Sequence, residues 1–392
     1  MHVPAPAAGV RLVLLIFNRT VEAQFARLLG ARGARCSPSE MSDARFGSNP
    51  RRSTDTLAVE VACIGSVHVG VALRQVEVGG LSMLIAEDGP PGGPVVLLCH
   101  GFPESWYSWR HQLPALADAG YHAVAPDMRG YGGTDAPADP HAYTQLHTLG
   151  DVVGLLDVLG ANEAAIVGHD WGSPVAWTSA LLRPDRFRAV VSLAVPWAPR
   201  AGLSTTALLR MIFADEWFYF LYFQEPGRAE RELDGNVEAF LRGFAWSLSG
   251  DVDIEVVQGL SGGPITGRML EHLVQPETLP DWLTADDLAY YVGEFTRTGF
   301  RGGLSWYRSA DATWELTRGF DDLRIHRPAL FVAGEREPVL AMMPGAAEAM
   351  TETVPGLRDV VMLPGCGHWT QQERPAEVNE ALLGFLSDTF PA

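Results

Sequence analysis

From Leu73 onward the chain alternates between short apolar runs and longer amphipathic stretches. Arg74 to Val78 and Leu81 to Ile85 alternate polar and apolar positions around Gly79-Gly80, the pattern of a strand hairpin. Pro94 to Cys99 is continuously apolar, as a strand buried on both faces would be. The pattern then predicts a helix near 105–120, a strand at 122–126 and a helix at 146–160. That last helix sets Leu146, Leu149, Val153, Leu156 and Leu159 on one stripe. An apolar strand from Ala164 follows, then a helix at 173–183 and a strand from Phe187 to Val195. Two late strands, Pro328 to Ala333 and Asp359 to Leu363, precede a closing helix at 375–389. Strands alternating with helices predict a mostly parallel sheet covered on both faces. Between Trp197 and Arg324 the alternation gives way to helical patterning dense in aromatics, including Trp217, Phe218, Tyr219, Phe220, Tyr222 and Phe223. A segment of that size after the sixth strand reads as an inserted lid over the carboxyl ends of the strands, where open α/β sheets bind ligands.

Residues 1–72 carry no such period. Leu12 to Phe17 is apolar but short and lacks a clear small-residue cleavage site, and 31–55 is rich in Ser, Arg and Pro. The expected division is a poorly ordered extension at 1–72, a first core part at 73–196, the lid at 197–324 and a second core part at 325–392. Composition narrows the function classes. A net charge of −18 argues against nucleic acid or an anionic membrane as partner. No apolar run approaches the roughly 18–20 residues of a membrane span. Every basic residue is Arg, which reflects codon usage more than function. Cys36, Cys63, Cys99 and Cys366 have neither metal-site nor disulfide-framework spacing, so a reduced, cytoplasmic protein without metal or cofactor is expected.

The chemistry gathers in four places. Ala164-Ala165-Ile166-Val167-Gly168-His169-Asp170-Trp171-Gly172-Ser173 is an apolar strand, a small-x-nucleophile-x-small turn and a helix start, the elbow that lifts one side chain above a sheet. Its central residue is an aspartate. A carboxylate is already anionic at neutral pH and can displace a leaving group at saturated carbon, leaving an ester for water to hydrolyse. His100-Gly101-Phe102-Pro103 follows the strand 94–99 and can aim the Phe102 N–H, together with that of Trp171, at an oxyanion. Pro103 is a candidate for a cis bond, and His100 is expected to brace the loop. His368, in Gly365-Cys366-Gly367-His368-Trp369 after the last strand, is the candidate base that activates water. Gly334-Glu335-Arg336-Glu337-Pro338 supplies an orienting acid, with Glu337 preferred to Glu335. Nucleophile, acid and histidine then follow the α/β-hydrolase chain order.

With these residues in place the chain resembles the soluble epoxide hydrolase branch of the α/β-hydrolase fold family over residues 73–390. His100 to Pro103, Arg129-Gly130-Tyr131-Gly132 and Gly168 to Gly172 match its motifs. Tyr222-Phe223-Gln224-Glu225-Pro226-Gly227 and Phe300 to Arg308 are similar to its two lid segments. The resemblance implies an eight-stranded α/β sheet and two tyrosines that donate to the epoxide oxygen, by position Tyr219 and Tyr307, with Tyr222 the rival to Tyr219. It implies a small apolar epoxide as substrate, a vicinal diol as product, and a monomer or homodimer. The chemistry agrees, because an alkoxide leaves poorly and needs an acid that stays protonated at neutral pH, as a phenol does. Two features depart from the branch: Glu337 stands where Asp is more frequent, and residues 1–72 are too short for the phosphatase domain of vertebrate relatives. A haloalkane or haloacid dehalogenase would share the Asp, His and acid, but its halide needs N–H donors rather than phenols. An inactive, receptor-like hydrolase would have lost a member of the triad.

Overall fold

The computed structural model describes residues 70–214, 216–252 and 261–392. The expectations for Leu12 to Phe17, for 31–55, and for Cys36 and Cys63 lie outside the described residues.

Two strands open the fold, β1 (Ala72–Val78) and β2 (Leu81–Asp88), paired antiparallel across Gly79-Gly80. After them come β3 (Val95–Cys99), β4 (His122–Pro126), β5 (Ala164–His169) and β6 (Phe187–Leu193). The sheet is completed much later in the chain by β9 (Ala329–Gly334) and β10 (Leu357–Leu363). Eight strands lie in the order β1-β2-β4-β3-β5-β6-β9-β10, with β2 alone running against the rest. Every residue of β3, β4, β5 and β9 is buried, because helices cover both faces and leave no alternate position for solvent. The apolar runs of these strands, interrupted by His122 and His169, identify the α/β class from sequence. Among the described residues no helix is long and apolar enough to cross a membrane.

Three local readings need correction. The expected helix near 105–120 is a 3-10 turn, Trp106–Trp109, followed by a separate helix, Gln112–Asp118. Ser105 caps the turn by accepting from the Tyr107 N–H, and the Asp127 carboxylate takes the Trp106 N–H at 2.9 Å, so the chain is held at the end of β4 before a longer helix can start. The helix Gln145–Leu159 buries Thr148, Asp151, Val152, Leu155 and Leu156, so Leu156 of the leucine stripe is fully buried while Leu149, Val153 and Leu159 pack half-buried against the core. Asp151 on the buried face forms a bidentate pair with Arg129 at 2.6 and 2.8 Å. Between β6 and β9 the chain is mainly helical, but it also holds a two-stranded ladder of β7 (Glu216–Phe218) and β8 (Ser261–Pro264), segments too short for a periodicity to reveal.

The insertion is bonded to the core at several points. The Trp306 indole donates to the Arg129 carbonyl at 3.0 Å, and Tyr107 and Arg110 reach Asp287 at 2.9 and 3.1 Å. Gly302 faces Gly130 so closely that an added Cβ would lie 1.9 Å from its carbonyl oxygen. These contacts seat the inserted helices over the carboxyl ends of β3, β5 and β9.

Candidate active site

Asp170 lies between β5 and the helix Gly172–Leu182, with φ at 49°, a left-handed conformation rare for a residue with a side chain. The neighbouring glycines make the turn possible. A Cβ on Gly168 would sit 2.1 Å from the Gly172 carbonyl oxygen, and one on Gly172 would sit 1.9 Å from that of Cys99. The helix thus starts pressed against β3 and β5, and the aspartate projects from the turn. Its Oδ1 accepts the Phe102 N–H at 2.8 Å, from a loop in which the Phe102–Pro103 bond is cis. His100 lies beneath that loop. Its Nε2 accepts the Met128 N–H and its Nδ1 faces the Gly101 carbonyl, both at 2.9 Å, and burial pulls the imidazole down to about 4. It stays neutral and braces the backbone.

His368 approaches from the loop after β10. Its Nε2 stands 3.5 Å from Asp170 Oδ2, while Nδ1 donates to Glu337 Oε1 and Oε2 at 3.0 and 3.1 Å. Glu337 is buried just past β9, where it also caps the helix Pro338–Met342 by accepting the Val339 N–H at 2.9 Å. Glu335 is exposed. Burial alone would lower the His368 imidazole. The charges and hydrogen bonds of Glu337 and Asp170 outweigh it and hold the ring well above its usual value.

Above the carboxylate stand two phenols from the insertion. Tyr219 begins the short helix Tyr219–Tyr222, and Tyr307 lies in the helix Arg301–Arg308. Their rings are 6.2 Å apart at 81°, and the Tyr307 ring lies 5.0 Å from Trp171 and 5.4 Å from Phe102. Burial raises both phenols well above their usual value, and the Asp170 charge raises them further. Tyr222 has another partner, since its hydroxyl donates to the buried Glu232. The two segments are tied together: Gln224 donates to the Tyr307 carbonyl at 3.1 Å, and Arg308 holds the Phe223 carbonyl at 2.9 Å and Glu230 at 2.6 Å. Phe220, Phe223 and Trp171 complete an aromatic wall around Tyr307. No cluster able to hold a metal ion occurs among the described residues.

The α/β hydrolase fold family matches residues 94–375. Over 315 residues the chain is 46% identical to epoxide hydrolase A of Mycobacterium tuberculosis, covering 80% of this chain and 97% of the relative. The chain belongs to the epoxide hydrolase branch of the α/β-hydrolase fold family. Solved structures agree. The crystal structure of epoxide hydrolase A from Mycobacterium thermoresistibile is 48% identical, with a TM-score of 0.78 across 82% of this chain and 100% of that one. An epoxide hydrolase from an endophytic Streptomyces is 45% identical, with a TM-score of 0.79 across 82% and 96%.

In this epoxide hydrolase relative, one buried group beside the site escaped the sequence reading. Glu104 Oε2 accepts the Gly101 N–H at 2.8 Å and meets His169 Nδ1 at 2.7 Å. His169 Nε2 meets the His368 carbonyl, also at 2.7 Å. The ring thus bridges Glu104 and the loop that carries His368. Burial would raise Glu104, but the adjacent His169 and the bonds it receives bring it down to about 2. His169 is the last residue of β5 and Glu104 follows the cis Pro103, and no local pattern in the sequence pairs them.

Proposed function

We propose that this chain hydrolyses a small apolar epoxide to a vicinal diol through an alkyl ester on Asp170. The observation that carries the reading is one carboxylate with two neighbours: Oδ1 fixed by the Phe102 N–H at 2.8 Å, and Oδ2 3.5 Å from an imidazole whose other nitrogen is bound to Glu337. One oxygen is steadied by the backbone, and the second lies beside the group that would later hydrolyse the ester.

Asp170 attacks an oxirane carbon, that carbon–oxygen bond breaks, and Tyr219 and Tyr307 hydrogen-bond the departing oxygen. One of them gives it a proton. Burial, and after it the free carboxylate, keeps the phenols protonated. Esterification removes its charge, so the phenols become stronger acids just as the alkoxide forms. The same loss lowers His368, which was held up partly by Asp170. Its proton returns to the phenolate through solvent, and the neutral ring then takes a proton from water. The hydroxide adds to the ester carbon, the Phe102 and Trp171 N–H groups face the oxyanion, and the diol leaves with the proton from His368. Asp170 is left as a carboxylic acid and returns its proton to His368, closing the cycle without cofactor. The aromatic wall of Phe220, Phe223 and Trp171 favours an apolar substituent on the epoxide, and the site is complete within one copy of the chain. A halide would need N–H donors; here the Trp171 indole is one such donor, but it stands beside the Tyr307 phenol, and the pair of phenols favours an epoxide oxygen.

Diol production from aryl, aliphatic and fatty-acid epoxides should vanish in Asp170→Ala. His368→Gln should still consume one equivalent of epoxide and gain the substrate's mass on Asp170. Diol turnover by Asp170→Ala would overturn the reading.

A further inference from the structure

The His368 loop is held from below by a carboxylate that takes no part in the scheme above. Glu373, at the end of the helix Thr370–Glu373, accepts three backbone N–H groups. Oε1 takes that of Trp369 at 3.0 Å, and Oε2 takes those of Gly367 and Gly250 at 2.9 Å each. Gly367 and Trp369 flank His368. Gly250 belongs to the insertion, two residues beyond Leu248, whose carbonyl accepts the His368 N–H at 2.9 Å. The Trp369 indole donates to the Ala245 carbonyl at 2.8 Å, and Arg336 bonds the Gly250 and Cys366 carbonyls. The two backbones nearly touch. A Cβ on Gly250 would lie 2.1 Å from the Gly365 carbonyl oxygen, and one on Gly367 would lie 2.3 Å from the Gly250 nitrogen.

A loop running through Gly365 and Gly367 has little stiffness of its own. Here each N–H from 367 to 369 has an acceptor, two of them on one carboxylate that also grips the insertion. We propose that Glu373 is a positioning residue for ester hydrolysis: it joins the His368 loop to Leu248–Gly250 of the insertion and so sets the imidazole against Asp170. This rests on the reaction proposed above. Glu373 contacts neither Asp170 nor the phenols by any of these bonds, so its influence falls on the step that uses His368 and spares the attack by Asp170.

That division has a kinetic signature. When the second of two covalent steps slows, kcat and KM fall together and kcat/KM is unchanged, whereas general loosening of the site lowers kcat/KM. Glu373→Gln keeps one oxygen for Gly250 and Gly367 but turns an amide donor toward the Trp369 N–H. Gly250→Ala attacks the same junction from the other side. The experiment measures steady-state diol formation, single-turnover epoxide consumption and intact mass for both variants beside wild type and His368→Gln. We expect kcat to fall at least about tenfold with kcat/KM within about twofold of wild type, and the alkylated enzyme to accumulate. Equal loss in both half-reactions, or no loss in either, would overturn the assignment. Should Glu373→Gln fold poorly, Gly250→Ala and the single-turnover ratio decide. If His368→Gln itself forms no ester, the failure belongs to the proposed reaction and not to Glu373.

Discussion

Replacing Glu337 by Gln isolates the charge behind His368 from everything else the residue does. Gln keeps an oxygen for the Val339 N–H, so the helix Pro338–Met342 retains its cap. What is lost is a negative charge 3.0 Å from Nδ1, in a place closed to solvent. Two unit charges at that distance attract by about 5 kcal/mol with an effective dielectric near 20. The amide dipole recovers part of this, and its NH2 also favours the wrong ring tautomer, so a net loss of about 3 kcal/mol is a fair expectation for the imidazolium that forms as water attacks. That is roughly a hundredfold in the hydrolysis rate. Attack by Asp170 does not build charge on the ring and should change far less. Rapid-quench mass spectrometry resolves the two steps, and the ester should accumulate. The pH profile gives a second check. Glu337 holds the imidazole up, so its removal lowers the ring's pKa. Hydrolysis needs the neutral ring and fails as pH falls through that value, so the acid limb should move to lower pH in the variant. An unshifted limb, or equal losses in both steps, would refute the role given to Glu337.

Tyr219→Phe and Tyr307→Phe should each slow epoxide consumption by roughly ten- to a thousandfold, with the double variant nearly inert, when followed in single turnover. Hydrolysis of preformed ester should be less affected. Gly101→Ala puts a Cβ within 2.3 Å of Asp170 Oδ1, so the loop or the nucleophile must move. Ester formation should drop about a hundredfold while far-UV circular dichroism stays unchanged. Asp151→Ala leaves Arg129 buried without its partner and should cost about 3–5 kcal/mol in urea unfolding. A shift below about 1 kcal/mol would mean that solvent reaches that guanidinium.

The parts of this molecule that could be read from sequence are those set by near neighbours in the chain. The elbow is legible because Gly168 and Gly172 are demanded by contacts within one turn and its adjoining strands, and the sheet because its central strands are nearly all apolar and its first hairpin alternates polar and apolar residues. The Glu104, His169 and His368 chain was not. It joins residues 65 and 199 positions apart, and no local period marks a buried polar bond. The same holds for Glu373, whose acceptor role depends on the insertion folding back to bring Gly250 beside Gly367. The leucine stripe of the helix 145–159 lies only partly on the buried face, because Thr148 and Asp151, the latter paired with Arg129, share that face with Leu155 and Leu156. Position favours Tyr219 over Tyr222, and the bond from the Tyr222 hydroxyl to Glu232, ten residues on, is a partner that no local pattern announces.

The elbow has a consequence for descent. The close approaches that shape the turn are those of Gly168 to the Gly172 carbonyl and of Gly172 to the Cys99 carbonyl, while the Asp170 side chain meets the Gly101–Phe102 loop and His368. The turn itself therefore asks little of the side chain at its summit beyond a fit against Gly101. A substitution there would change the group presented to the Gly101–Phe102 loop and His368 while the glycine contacts that shape the turn remain. A lineage built on this turn can explore new chemistry at one codon while its architecture stands still.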